Sequence, residues 1–241
     1  MEKVLFVVGA SSDMGTACIK KTGCNYDHII AHYLHMNDGL RQLQEEFGEK
    51  MICLQADLSD EGQVLGLIDD IRLKGLCPTH ILHFPAPQCR NQKFHKIKWE
   101  VFQNEMDISL KSIVLILQAF LPDMAKRHCG KVIIMLSFVV EHAAPAYCSN
   151  YVVTKYALLG LVRALATEYA GKGITVNGIS PAWVRTKYID NQPDMLVEQN
   201  VQASPIGRIL GVDDVIPSIE YLLSAGGDCV NGQNIAITCG R

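Results

Sequence analysis

Short apolar runs alternate with longer stretches of helical period along the whole chain. Residues 4–8, 28–33, 51–55, 80–84, 131–136, 174–180 and 234–238 form brief segments rich in apolar residues, many of them Val, Ile and Leu. Continuous apolar runs of this length fit strands buried on both faces, whereas a strand with one wet face would alternate. Between them, residues 15–22, 39–47, 61–74, 99–127, 150–170 and 212–224 have the spacing of amphipathic helices. Regular alternation of the two predicts an α/β fold, a seven-stranded parallel sheet with helices on both faces. Residues 183–208 break the rhythm with Pro193, Pro205 and several polar side chains. So long a connection in a compact domain predicts a lid over a site.

Composition narrows the picture. The chain has 241 residues, 49% of them apolar, enough to bury one core, and no composition break divides it, so a single domain over 1–241 is expected. A formal charge of −3 without a basic stripe argues against nucleic acid. The longest apolar stretch, residues 113–121, is short and interrupted by Gln118, so no membrane span is expected. The first apolar run goes directly into Gly9, which reads as a strand rather than an export signal and gives the cytoplasm as the expected location. The nine cysteines are odd in number and lack a C-x-x-C pair, as reduced core residues would. His32 and His35 are the only close histidine pair, so no metal site is expected.

The segment "GASSDMG", residues 9–15, lies between the first strand and the first helix. The first N–H groups of a helix have no internal partner and carry the positive end of its dipole, so such a turn binds anions. Gly9 permits the tight turn, Ser11, Ser12 and Met14 lie around the phosphate position, and Gly15 lets helix and sheet approach. Asp13 puts a carboxylate in this turn. Two readings stay open: it repels a phosphate, by up to about 4 kcal/mol at 4 Å, or it caps a helix beginning at Met14.

"SFVVEHAAPAYCSNYVVTK" carries the more specific chemistry. Ser137 ends a strand, and Tyr151 and Lys155 lie four apart at a helix start, on one face. An ammonium beside a phenol favours the phenolate, lowering the tyrosine pKa by roughly 1 to 3 units from about 10, so that Tyr151 can pass a proton near neutrality. Ser137 can hold a substrate oxygen for that transfer.

From "VVGASSDMG" through "LQADLSD", Ser137, "YVVTK" and "VNGISPAWVRT" to "NGQNIAITCGR", the chain resembles the short-chain dehydrogenase/reductases. The stretch "SPIGRILGVDDVIPSIEYLLS" looks most like the 3-oxoacyl-acyl-carrier-protein reductase branch. The resemblance implies a Rossmann-like doubly wound sheet, a nicotinamide cofactor, a homotetramer, and reduction of a small carbonyl compound or acyl thioester. It implies Tyr151 as proton donor, Ser137 orienting the carbonyl, and Lys155 acting on Tyr151 and on the nicotinamide ribose. Asp57 with Leu58 matches the adenine position, and Pro181, Val184 and Thr186 match the nicotinamide end.

Departures are equally informative. Asp13 stands where the family has its middle glycine, and Phe84, Pro85, Ala86 and Pro87 replace Asn-Asn-Ala-Gly. Ser109 stands at the family's fourth catalytic position, an Asn that supports a proton-relay water. At the end of the second strand, His32 and Tyr33 bring no acidic anchor for NAD(H), while Ser12 and Leu34 stand where NADP enzymes often have Arg. Absence of repulsion points to NADP(H), with NAD(H) left open and His32, His35 and Arg41 as sources of positive charge. The spacing differs from the Tyr-x6-Lys of enoyl reductases. Tyr188, Met195, Leu196 and Val197 are expected in the pocket wall, and Lys126, Arg127, His128 and Lys172 are candidates to meet an acyl carrier protein. The other reading is a non-catalytic protein that keeps this fold for assembly or binding.

Overall fold

The computed structural model describes residues 2–88, 91–141, 144–189 and 192–240. Seven strands, β1 (Val4–Val8), β2 (His28–Tyr33), β3 (Met51–Gln55), β4 (His80–His83), β5 (Gly130–Met135), β6 (Ile174–Pro181) and β7 (Asn234–Ile237), form one parallel sheet in the order 3-2-1-4-5-6-7. The pleat of β1 sends Phe6 to one face and Leu5 and Val7 to the other, and all three are fully buried. This double burial is why the strand sequences are continuously apolar.

Helices α3 (Glu61–Leu73), α5 (Ser112–Lys126) and α6 (Ser149–Tyr169) cover the Phe6 face. Helices α1 (Asp13–Thr22), α2 (Asp38–Phe47) and α8 (Val212–Leu223) cover the other. From β1 the chain winds outward through β2 and β3, then returns to place β4 on the other side of β1. The connections leaving β1 and β4 therefore lead to opposite faces of the sheet, and doubly wound folds bind their ligands at the carboxyl edge of such a reversal.

Two elements depart from expectation. The helix expected over 99–127 is α4 (Trp99–Met106), a π-helical stretch (Asp107–Lys111) and α5. The wider turn carries Ser109 to full burial, and Ser112 Oγ donates to Ile108 O at 2.6 Å beside it. Such turns break the 3.6-residue period and gather at functional sites. Within 183–208 the structure adds α7 (Asp194–Gln202), which starts directly after Pro193. Its one buried residue is Asn200, so it lacks the apolar stripe that announces a helix. By length and composition alone the run Trp99–Lys126 could cross a bilayer. In the fold, Ile113, Ile116, Leu117, Phe120, Leu121 and Met124 pack it into the core.

Candidate active site

Gly9 turns the chain after β1 with a φ of 81°. A β-carbon there would lie 3.3 Å from the ring of Pro85, so the turn after β1 and the segment after β4 are in direct contact. Ser12 caps α1: its Oγ accepts from the Gly15 N–H at 3.0 Å and donates to Gly9 O at 2.7 Å. Gly15 serves packing, because a β-carbon on it would sit 2.5 Å from Gly9 O. The amides of Gly9, Ala10, Ser12 and Gly15 all have partners within the protein. Those of Ser11, Asp13 and Met14 lie at the positive end of α1, where an anion would bind.

Asp13 does not cap α1, and it lines the groove at the start of that helix. It is the first residue of α1, with Ser12 as the cap. Its Oδ2 accepts from the Lys187 N–H at 2.7 Å, across 174 positions of sequence. The carboxylate thus bridges from the turn to the 183–208 segment.

His32 is also reassigned. Its Nδ1 accepts from the Gly9 N–H at 3.1 Å and its Nε2 lies 3.0 Å from Ala56 O. Accepting at Nδ1 puts the proton on Nε2, which donates to that carbonyl. Burial pushes the imidazole down to about 4, against a weaker opposing pull from the Ala56 carbonyl, so His32 is neutral and brings no positive charge to a phosphate. Tyr33 packs into the second core face and does not line the groove, where Leu34 appears instead. Asp57 Oδ1 accepts from the N–H and Oγ of Ser59, at 2.9 and 2.7 Å, and so shapes the turn after β3. Phe84 keeps the altered segment in register by donating its N–H to Val8 O at 3.1 Å.

On the other side of the switch point, β5 leads to Ser137, and the start of α6 carries Tyr151 and Lys155. Lys155 Nζ lies 5.5 Å from the Tyr151 ring centroid and donates to Met135 O at 2.8 Å. Burial lowers the Lys155 ammonium to about 8, while the Glu105 carboxyl pulls the other way. The Tyr151 and Tyr188 rings lie 6.4 Å apart, so the 183–208 segment meets the site from above. One groove of about 1080 Å³ is lined by Ser137, Tyr151, Lys155, Gly9, Ser11, Ser12, Met14, His32, Asp57, Leu58, Phe84, Pro85, Pro181, Val184 and Thr186. Tyr188 and Leu196 also line it, whereas Met195 and Val197 do not. Asp190 and Asn191, within the expected lid, lie outside the described residues.

Ser109 does not line this groove; it is buried, and no protein atom hydrogen-bonds its Oγ. Glu105, Asn150 and His83 are buried polar residues near the site that the sequence did not single out. Glu105 in α4 accepts from Asn150 Nδ2 at 3.2 Å. Burial raises its carboxyl to about 7, against Lys155 and Asn150. His83, at the end of β4, is held well below its ordinary value by burial and then by the charges of Lys155 and His32. Nothing local separates Glu105 from an exposed helical glutamate; its burial follows from the packing of α4 on α6.

The fold and the Ser137, Tyr151 and Lys155 groove define an α/β oxidoreductase of the kind that uses a nicotinamide dinucleotide. A family model described as Enoyl-(Acyl carrier protein) reductase matches residues 9–241. The chain belongs to the short-chain dehydrogenase/reductase family. It is 25% identical over 243 residues to the 3-oxoacyl-[acyl-carrier-protein] reductase FabG of Staphylococcus aureus, covering 100% of this chain and 98% of that one. Among solved structures it is similar to 4-hydroxyisoleucine dehydrogenase complexed with NADH and succinate, with TM-score 0.86, 23% identity and 97% of each chain covered. It is also similar to ElxO with NADP bound, with TM-score 0.88, 21% identity, and 100% and 98% covered.

The residues present fit such a dinucleotide. The turn at Gly9 and the start of α1 would suit a pyrophosphate, and Asp57, Leu58, Lys155 and Thr186 line the same groove.

Proposed function

We propose that this protein is an NADP(H)-dependent reductase of uncharged, largely apolar ketones, among which a 3-oxoacyl thioester is a candidate. The observation that carries this reading is the Tyr151–Lys155 pair facing Ser137 in one groove. When bound, the nicotinamide supplies the hydride. Tyr151 gives its hydroxyl proton to the carbonyl oxygen, the Ser137 hydroxyl donates to the same oxygen, and the Lys155 ammonium stabilises the phenolate left behind. Phe138, Val139, Pro145, Tyr147, Trp183 and Leu196 give the substrate side an apolar wall. Among the described lining residues there is no arginine to hold a carboxylate or phosphate by two parallel bonds, and Lys155 and Lys187 are the lysines there.

Absence of an acidic side chain at the end of β2, where Leu34 lines the groove, favours NADP(H) over NAD(H). The 183–208 segment acts as the lid, and exposed Trp99, Val101, Val153 and Tyr156 on α4 and α6 suit a homotetramer interface. Eight free cysteines among the described residues suit a cytoplasmic enzyme. Of the basic residues considered for a carrier protein, Lys126 pairs with Asp123 and Lys172 lies over Tyr169, which weakens that partner. The non-catalytic reading loses part of its motive, because Asp13 has a use. Purified protein should oxidise NADPH with a panel of ketones, and Tyr151→Phe should lower kcat by about 10²- to 10⁴-fold. A wild-type rate no faster than that of Tyr151→Phe would overturn the assignment.

A further inference from the structure

Around Lys155 lies a set of buried polar groups that the reaction as described does not use. Lys155 is buried in α6, and both α4 and the π-helical stretch pack against that helix. Glu105 is 2% exposed, yet only one of its carboxyl oxygens has a protein partner, the Asn150 amide. Glu105 Oε1, Ser109 Oγ and Asn150 Oδ1 are buried with no hydrogen-bond partner within the protein. Buried oxygens rarely stay unpaired, and a hydroxyl, an amide oxygen and a carboxyl oxygen left so together have the character of a site that internal water joins. Sequence order supports the clustering: Glu105 and Ser109 lie on one helical run, and Asn150 immediately precedes Tyr151.

We propose that Glu105 is a positioning residue that acts through Lys155, holding the proton that replaces the one Tyr151 gives to the substrate. The proposal rests on the reductase reading above. In one turnover the Tyr151 O–H bond breaks and a substrate O–H bond forms. The phenolate takes a proton from Lys155 Nζ, and Nζ takes one from the Glu105 carboxyl through water held at Ser109 Oγ and Asn150 Oδ1. Glu105, left as a carboxylate facing the restored ammonium, regains its proton from solvent between turnovers. Only protons and water move, and no oxidant or reductant is consumed beyond the hydride of the reaction itself.

The surroundings agree. Burial places the Glu105 carboxyl near 7 and the Lys155 ammonium near 8, so the two exchange protons close to neutrality. The charged group facing Glu105 from α6 is Lys155, with the Tyr151 phenol beside it; on β4, His83 is held neutral. On its own helical run, Asp107 and Lys111 pair with each other at 3.7 Å, and Lys111 also pairs with Glu61 at 2.8 Å. Because Glu105 is protonated below its pKa, its contribution to reduction is present at low pH and fades as pH rises through about 7.

Glu105→Gln keeps an acceptor for Asn150 and removes the titrating proton; Glu105→Asp restores a carboxyl. In the intact protein carrying ¹³Cε-lysine, Lys155 should titrate at lower pH in Glu105→Gln than in wild type, and an unchanged Lys155 titration overturns the proposal. In ketone reduction, kcat/KM of wild type should fall above pH about 7, a limb that Glu105→Gln loses while its rate below pH 7 drops roughly ten-fold. Glu105→Asp should bring part of the limb back, which a purely structural role would not do. Full retention of rate and limb in Glu105→Gln overturns the proposal while leaving ketone reduction standing. If wild type reduces no ketone, the reductase reading fails, and the Lys155 titration alone decides whether Glu105 sets its protonation.

Discussion

Asp13 allows two physical accounts to be separated with two substitutions. A carboxylate about 4 Å from a pyrophosphate would cost roughly 4 kcal/mol at a surface-like dielectric, about a thousandfold in affinity. In the structure the same carboxylate accepts the Lys187 N–H at 2.7 Å, so its charge is directed at the 183–208 segment. A hydrogen bond to an ionised acceptor contributes roughly 1.5–3 kcal/mol when sheltered. Lys187 is exposed, and solvent screening reduces that to about 0.5–1 kcal/mol, or roughly a two- to five-fold shift in how tightly the segment is held. Asp13→Asn keeps an acceptor and removes the charge, whereas Asp13→Gly removes both. If the bridge dominates, Asp13→Asn should leave the NADPH dissociation constant within a few-fold of wild type, and Asp13→Gly should raise KM for the ketone by roughly two- to five-fold. Trp183 lines the groove, so its fluorescence can follow the cofactor titration directly. A hundredfold or greater tightening of NADPH in Asp13→Asn would refute the bridge and restore the repulsion account.

Other substitutions test neighbouring parts of the argument. Leu34→Asp should shift preference toward NADH, and Leu34→Arg toward NADPH, each by about ten-fold or more in the ratio of kcat/KM values; equal ratios in both variants would place the discriminating contact elsewhere. His32→Phe removes both partners of the Gly9 N–H and Ala56 O and should destabilise the protein by about 2–4 kcal/mol in urea titrations, without changing the NADPH to NADH preference. Since the folded-state pKa of His32, about 4, lies below its ordinary 6.5, the unfolded chain binds the extra proton first. Wild-type stability should therefore fall as pH drops from about 6.5 toward 4, with this component missing in His32→Phe.

What the sequence disclosed and what it hid divide along a physical line. The strands were legible because a strand buried on both faces must be apolar at every position, and Val4–Val8 shows this without knowledge of any partner. Tyr151 and Lys155 were legible because four residues of helix are enough to bring them together. Asp13, His32 and Glu105 were not, since a polar side chain takes its role from whatever faces it. Those partners lie at Lys187, at Gly9 and Ala56, and at Asn150. The π-helical turn was hidden for a related reason: an inserted residue shifts the phase of one helix without changing its composition. Two of the departures from the family pattern are therefore better understood in pairs than singly. The carboxylate that replaces a glycine at 13 is met by the Lys187 amide, and the short hydroxyl of Ser109 lies on the same helical run as the buried carboxyl of Glu105. The partner of Asp13 is a backbone amide, which any residue at 187 would supply, so the fold rather than a second substitution gives that carboxylate its place.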